Sequence, residues 1–464
     1  MSMWKGLLMN LPEVEGPTQK LLSFKEKLKW TGVILIIYYI LGMLPLFGLD
    51  PQSQFRFEQL EIILAAKFGS LISLGIGPIV TASIVLQLLN GSGILKFDLT
   101  TPEGKRTFQG VQKLLAIFFI IFEAIIYVFM GGLNPPQQFV GIAFYTQLRY
   151  LLVFQLILGG IMILFMDEVI SKWGFGSGIS LFIVAGVSQQ IFIQTFNWII
   201  PEGSTYSIGA VWALFQALSA GDPTEAGIRF SALLATVLVF FIAVYAQAMK
   251  VEIPLSFGRI RGHGIRWPLS FLYTSNIPVI LVAALMANMQ LWGRFMQNWG
   301  FPLLGRFSET TNQPISGLVY LLQSPNVVRG AITGSIGWGE IGQAFVYLLF
   351  MMLGAVVFSM FWVQTAGMDA RSQAKNMMSS GLQIPGFRKD ERILERILNR
   401  YIWPLTVMGG LAVGLLAGIA DLTGALSRGT GILLSVMIVY KLYEEIAQQH
   451  MMDMNPMLRR FMGS

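Results

Sequence analysis

The sequence predicts an all-α polytopic membrane protein with ten transmembrane helices arranged as two inverted halves of five. Three observations predict it. The chain has 464 residues, of which 54% are hydrophobic and only 12% charged, about half the charge of a soluble domain. About ten long apolar segments divide it, each near the roughly 20 residues that a bilayer-crossing helix needs. The connections between them alternate between basic and nearly neutral. With the N-terminus placed in the cytoplasm, roughly three quarters of the 32 Lys+Arg fall in the N-terminus, every second loop and the C-terminal tail, as the positive-inside bias requires when both ends are cytoplasmic.

Taken in order, residues 1–30 form a cytoplasmic N-terminus. Within it LLSFKEKLKW (21–30) alternates apolar and basic residues at helical spacing and predicts an amphipathic helix on the membrane surface. No compact apolar run with a small-residue cleavage site occurs there, so the first span is expected to serve as the insertion signal. Spans are predicted at about 31–48, 70–90, 113–133, 148–167 and 178–200, the N-terminal half (31–200). An external connection (201–228) leads to the C-terminal half (229–447), with spans at about 229–249, 269–291, 341–363, 402–420 and 429–447. A cytoplasmic tail (448–464) follows. The cytoplasmic loops 250–268 and 364–401 hold most of the loop charge, and the outer connections 201–228 and 292–340 are rich in Gly, Pro, Ser and Asn. The net charge of +7 is concentrated on the cytoplasmic side, where it suits an anionic partner or lipid, or topology alone.

One stretch fits neither class. FRFEQLEIILAAKFGS (55–70) is half apolar, carries Arg56, Glu58, Glu61 and Lys67, and precedes Gly69, Gly75 and Gly77. It reads as a short helix re-entering from the outer side or as an outer-surface helix; the first would have to be buried in protein or line a cavity. A faint repeat runs through the chain. Gly176-Ser177-Gly178-Ile179 opens the fifth span and Gly429-Thr430-Gly431-Ile432 the tenth; Gly77-Pro78-Ile79-Val80 in the second is matched by Ile277-Pro278-Val279-Ile280 in the seventh. Five spans separate each pair. Five is odd, so corresponding helices enter the bilayer from opposite sides, and a pathway is expected between the halves.

The residue inventory speaks against an enzyme. The chain has no Cys and two His, His263 and His450, both outside the spans, which removes thiolate chemistry and intramembrane His-ligated metals. No base lies near a buried Ser. Asp167 and Glu168 are adjacent at a helix end, where neighbours do not share a face, and phosphate-cradling glycine motifs are missing. No cofactor is expected. Glu123 is the ionisable residue placed well inside a span; it suits a proton-coupled site or pairing with a neighbouring helix or subunit. The spans also offer aliphatic pairs at i, i+4 beside glycine-rich helix starts: Ile76 with Val80, and Ile179 with Ile183. Such pairs suit core or lipid contact, or a ring that gates a pore by dewetting. A solute transporter of inverted-repeat type and a membrane insertase are the competing classes.

Eight ordered blocks carry a family resemblance: FKEKLKWTG (24–32), LGIGPIVTASIVLQLL (74–89), FQGVQKLLAI (108–117), GFGSGISLFIVAGVSQ (174–189), VEIPLSFGRIRG (251–262), SNIPVILVAAL (275–285), FRKDER (387–392) and RGTGILL (428–434). With them the chain resembles the SecY family, channel subunits of the Sec protein translocon, in its archaeal form. The resemblance implies a central pore that conducts unfolded polypeptide and releases apolar segments sideways into lipid.

Carried over by motif, the pore ring would be Ile76, Val80, Ile179, Ile183, Ile280 and Leu434. The plug would be about 55–70, with Phe55, Phe57, Leu60, Ile63, Leu64 and Phe68. The lateral gate would open between the second/third and seventh/eighth spans, where Thr81, Gln87 and Asn288 supply polar contacts. Arg259, Arg261, Arg266, Arg388 and Lys389 in the basic loops would meet the ribosome or another cytosolic partner. The implied partners are SecE-type and Secβ-type small membrane subunits, the ribosome, the signal recognition particle receptor pathway, secretory and membrane-protein nascent chains, and membrane lipids. The implied location is the cytoplasmic membrane.

Overall fold

The computed structural model describes residues 12–18, 22–50, 67–91, 94–95, 97, 101–129, 133–136, 143–201, 203–257, 264–274, 276–308, 313–379, 382–383 and 391–454. Each expected span falls on a helix: α1 (Phe24–Met43), α2 (Gly77–Gly91), α3 (Pro102–Phe129), α4 (Ala143–Trp173) and α5 (Gly178–Phe196). A short outer helix α6 (Ala210–Ala220) precedes α7 (Pro223–Ala248), and α8 (Ile277–Asn298) is the seventh span. Two short outer helices, α9 (Leu318–Leu321) and α10 (Val327–Thr333), precede α11 (Trp338–Thr365). Then α12 (Ala370–Ser379) leads to α13 (Glu391–Leu422) and α14 (Gly429–Met454).

Seven of the described helices, α3, α4, α5, α7, α8, α11 and α13, are long and apolar enough to cross a bilayer. The other three fall short for physical reasons. Helix α1 begins with Lys25, Glu26, Lys27 and Lys29, and α14 carries Lys441, Glu444 and Glu445 in its second half. Helix α2 has 15 residues, about 22 Å of rise. The depth expected of a helix at 70–76 is filled instead by consecutive turns, with Gly69 at φ +86° and Gly75 at φ +56°. Only Gly takes those angles without steric cost. The expected surface helix at 21–30 is not separate either. Ser23 caps α1 with a capping box to Glu26, and the basic turns run without a break into the first span.

Two features of the connections were not expected. The loop after α7 is a hairpin, β1 (Lys250–Phe257) with β2 (Gly264–Ser270), extended by β5 (Leu382–Gln383) to an antiparallel sheet of order β2-β1-β5. The outer connection holds a second, two-stranded sheet of β3 (Gly305–Phe307) and β4 (Pro314–Gly317). The signal for the hairpin was present in Val251, Ile253, Leu255 and Phe257, which alternate as a half-buried strand does.

One large apolar core joins α1 to α5, α7, α8, α11, α13 and α14, and a smaller one ties Leu269 and Tyr273 to Ala374, Leu398 and Ile402, anchoring the basic loops to α13. Helices α11 and α13 approach closely because Gly410 and Gly414 lie against backbone atoms of Val356, Met351 and Met352, as small residues do between membrane helices. The repeat is visible in the contacts. Helix α2 meets α8, and α5 meets α14, so each pair matched in sequence meets across the two halves.

Candidate functional site

All six residues of the expected ring lie on, or one residue before, these four helices. Ile76 is the last turn residue before α2, and its carbonyl accepts the Val80 N–H at 3.0 Å, which holds both side chains on one face. Ile76 is 1% exposed and Ile183 2%; Val80, Ile280 and Leu434 are also buried, and Ile179 is half-buried against the same core. Two cavities lie beside them. The larger, about 410 Å³, lies at the start of α5 and is lined by Val80, Gln87, Asp167, Ile179 and Ile280 among others. The smaller, about 20 Å³, lies at the start of α14, with Ile183, Ile280, Leu434, Tyr347 and Asp421 in its wall. Ile280 lines both.

Of the three expected gate residues, two meet. Asn288 Nδ2 on α8 donates to Thr81 Oγ1 on α2 at 2.9 Å. The Thr81 hydroxyl reaches the Gly77 carbonyl at 2.8 Å and Glu123 Oε1 on α3 at 3.3 Å. A hydroxyl carries one proton, so these two acceptors compete for it. Glu123 therefore pairs with a neighbouring helix, the simpler of its two readings, and belongs to the seam of α2, α3 and α8. Gln87 stands apart. It is buried beside the larger cavity, and its Oε1 has no hydrogen-bond partner among the described residues. One turn before Gln87 on α2, Ser83 accepts a bond from Gln112 Nε2 at 2.6 Å. Sequence reasoning missed Ser83 and Gln112; a polar ladder at 81, 83 and 87 on an otherwise apolar span was the available signal.

Of the plug residues, Phe68 is described: it is buried, its ring 5.9 Å from that of Tyr127. Phe55, Phe57, Leu60, Ile63 and Leu64 lie outside the described residues. The chain returns from that segment beside the end of α1, where Leu46 N–H bonds the Gly69 carbonyl at 2.8 Å and Leu71 N–H the Leu44 carbonyl at 2.9 Å. Irregular backbone with buried Ser70 and Ser73 thus sits inside protein, the condition for its presence at membrane depth. Arg266 is in β2, opposite Pro254. Arg259, Arg261, Arg388 and Lys389 lie outside the described residues.

Asp167 and Glu168 diverge, as neighbours on a helix must. Asp167 Oδ1 accepts the Ile179 N–H at 3.0 Å. Glu168 pairs with Lys113 on α3 and accepts the Val14 N–H at 3.0 Å. Residues 12–15 form a strap across the ends of α3 and α4. Lys172 holds Glu13 and the Val14 carbonyl, and Trp173 Nε1 donates to the Glu15 carbonyl at 2.8 Å. The Lys172 bond holds the Glu13 carboxyl below its ordinary range, against an opposing contribution from burial. Among the described residues no group of three or more His, Cys, Asp or Glu could hold a metal.

The comparisons with known proteins point one way. The SecY family model matches residues 70–443, and the plug domain of Sec61p matches residues 36–69. The chain is 46% identical to the protein translocase subunit SecY of Methanothermobacter thermautotrophicus over 99% of its length and 98% of the relative's. It is 42% identical to that of Methanocaldococcus jannaschii, with 98% of each covered. Among solved structures, a protein-conducting channel superposes with a TM-score of 0.82 at 42% identity, covering 96% of both chains. Sec61 from the canine ribosome–channel complex does so with a TM-score of 0.79 at 41% identity over 96% of both. The chain belongs to the SecY family.

Proposed function

We propose that this membrane channel subunit passes unfolded secretory polypeptides between the six aliphatic side chains and releases transmembrane segments into lipid between α2/α3 and α8/α11. The observation that carries the reading is the placement of Ile76, Val80, Ile179, Ile183, Ile280 and Leu434. Four helices matched in pairs by the inverted repeat carry or adjoin them. Five of the six, all but Ile76, line one or both of two cavities, one at the start of α5 and the other at the start of α14. Aliphatic side chains present no group that holds an ion or water, so a narrow ring of them dewets and excludes ions at rest. The same ring deforms around a passing chain. The protein is not an enzyme, so the energy for translocation comes from a partner.

The side exit follows from the seam. Where α2 meets α8, the described polar link is Asn288 to Thr81, backed by Glu123. Such interhelical bonds contribute about 0.6–1.7 kcal/mol, little enough for an entering apolar helix to displace. The side on which α5 starts is assigned to the cytoplasm of a cytoplasmic membrane, so the larger cavity faces the ribosome. Arg259, Arg261, Arg266, Arg388 and Lys389 dock there against anionic ribosomal RNA. SecE-type and Secβ-type subunits cover part of the outer helical surface, and the signal recognition particle receptor pathway delivers the chain.

Site-specific crosslinking from Ile183 with a stalled secretory chain engaged tests the reading. Crosslinks to the nascent chain are expected. Crosslinks confined to lipid-facing control positions would place the pathway elsewhere and revive the transporter class.

A further inference from the structure

The four ring-bearing helices are not all held in the same way. Helices α5 and α14, matched by the repeat, each start against a carboxylate from the helix before. In the first half, Asp167 near the end of α4 accepts the amide of Ile179 at 3.0 Å and the Ser177 hydroxyl at 3.5 Å. In the second half, Asp421 at the end of α13 accepts the amide of Thr430 at 2.7 Å and also the Thr430 hydroxyl, with Tyr347 Oη donating to its second oxygen at 2.5 Å. Ser177 and Thr430 are equivalent positions in Gly-Ser-Gly-Ile and Gly-Thr-Gly-Ile.

The backbone before both helices turns through left-handed residues, at positions that differ between the two motifs. Left-handed residues precede both helix starts: Gly176, directly before Ser177, at φ +66°, and Ser427 and Arg428, three and two positions before Thr430, at φ +61° and +46°. The last two are not glycine, and such angles persist only where the surroundings over-determine them. Close approach is built in on both sides. A Cβ on Gly178 would lie 2.6 Å from the Asp167 Cα, and one on Gly429 2.0 Å from the Ala420 carbonyl carbon. Each carboxylate also borders one cavity, Asp167 the larger and Asp421 the smaller.

We propose that Asp167 and Asp421 are a pseudo-symmetric pair of positioning residues that fix the starts of α5 and α14 and so hold Ile179, Ile183 and Leu434 in register with the ring. The first amide of a helix lacks an intrahelical partner. Here that bond comes from a different helix, so it sets where the ring helix begins relative to its neighbour. At Asp167 the bonded amide is that of a ring residue itself. At Asp421 it is one turn before Leu434. Neither carboxylate touches the passing chain in this role; each acts through the helix it caps. The inference rests on the ring reading above.

The test compares resting ion leak in proteoliposomes of the assembled complex. Asp167→Ala and Asp421→Ala are expected to raise leak on the order of tenfold, equivalent to about 1.4 kcal/mol. Asp167→Asn keeps an acceptor oxygen and is expected to restore a near wild-type seal. Asp222→Ala is the control: Asp222 caps α7 by accepting the Thr224 and Glu225 amides, each at 3.1 Å, and α7 carries no ring residue. It should cost stability without leak. Leak from Asp167→Ala no greater than from Asp222→Ala overturns the inference, as does an Asp167→Asn leak equal to that of the alanine variant. Should alanine block assembly, Thr430→Val, which spares the amide and Tyr347 bonds, should raise leak about twofold; no rise there overturns it too. Ile76→Gly with Ile183→Gly separates the two ideas. Leak from that pair without leak from the Asp variants defeats the positioning role alone, and no leak from that pair defeats the ring itself.

Discussion

Ile280 is the wall shared by the two cavities, and its truncation is the sharpest probe of how the ring seals. Ile280→Ala removes three buried carbons from a site between a cavity of about 410 Å³ and one of about 20 Å³. The space freed is comparable to a few water molecules at roughly 30 Å³ each. Burial loss and the residual cavity together cost about 2–5 kcal/mol of stability. Volume alone does not make a conductor, because an apolar cavity of this size stays dry. If the barrier is dewetting, polarity matters more than width. Ile280→Asn fills more of the gap than Ala does, yet it offers water and ions hydrogen-bonding groups, so it should leak more. Ion flux in proteoliposomes, normalised to assembled complex, reads both variants. The expected order is wild type, then Ala, then Asn, with Asn at least tenfold above wild type. Ala leaking more than Asn would refute dewetting in favour of steric plugging. No leak from either variant, with the complex assembled, would refute the ring.

Three further predictions concern the seam, the loops and the strap. Asn288→Ala removes the bond to Thr81 and should shift the seam toward opening about threefold to twentyfold, the equivalent of roughly 0.6–1.7 kcal/mol; crosslinking of paired cysteines across α2 and α8 measures it, and an unchanged yield contradicts it. Arg388→Glu should weaken ribosome docking on the order of tenfold at low salt and flatten its salt dependence, with folding unchanged; equal affinity in sedimentation assays returns this residue to a purely topological role. Glu13 is held below its ordinary pKa of 4.5 by Lys172. The strap's anchoring is therefore fully present above that value and is lost as pH falls through the lowered one. Protease cleavage within residues 12–18 should rise only in that acid range and should be pH-independent in Glu13→Gln.

Much of this molecule is legible one helix at a time. Apolar length and the alternation of basic loops place ten helices, because bilayer thickness and the positive-inside bias act on each segment separately. The i, i+4 spacing of Ile76 with Val80 states that they share a face, and the turn structure before α2 agrees. Boundaries were harder. The segment at 70–76 reads as helix by hydropathy, yet its glycines turn it. The hairpin at 250–270 hides in a loop judged by charge, although its alternating Val, Ile, Leu and Phe signal a strand.

What periodicity cannot state is which face meets which helix. Asn288 and Thr81 are 207 residues apart, and nothing in either helix's spacing selects the other. Glu123 reads as a proton site or, with more weight, as a partnered acid, and its partner is unnamed until α2 is placed against α3. Asp167 looks like one of two adjacent acids at a helix end, and Asp421 like the polar edge of a span, until both are found capping the next helix. The sequence alone determined the helical fold class, the aliphatic character of the proposed ring and the inverted order of the halves, because each depends on transfer of local segments into lipid. Only the tertiary structure decided which polar groups pair and where the ring helices begin. Those depend on how closely backbones approach, through glycines such as Gly178, Gly410 and Gly429, and that approach is a property of two helices at once.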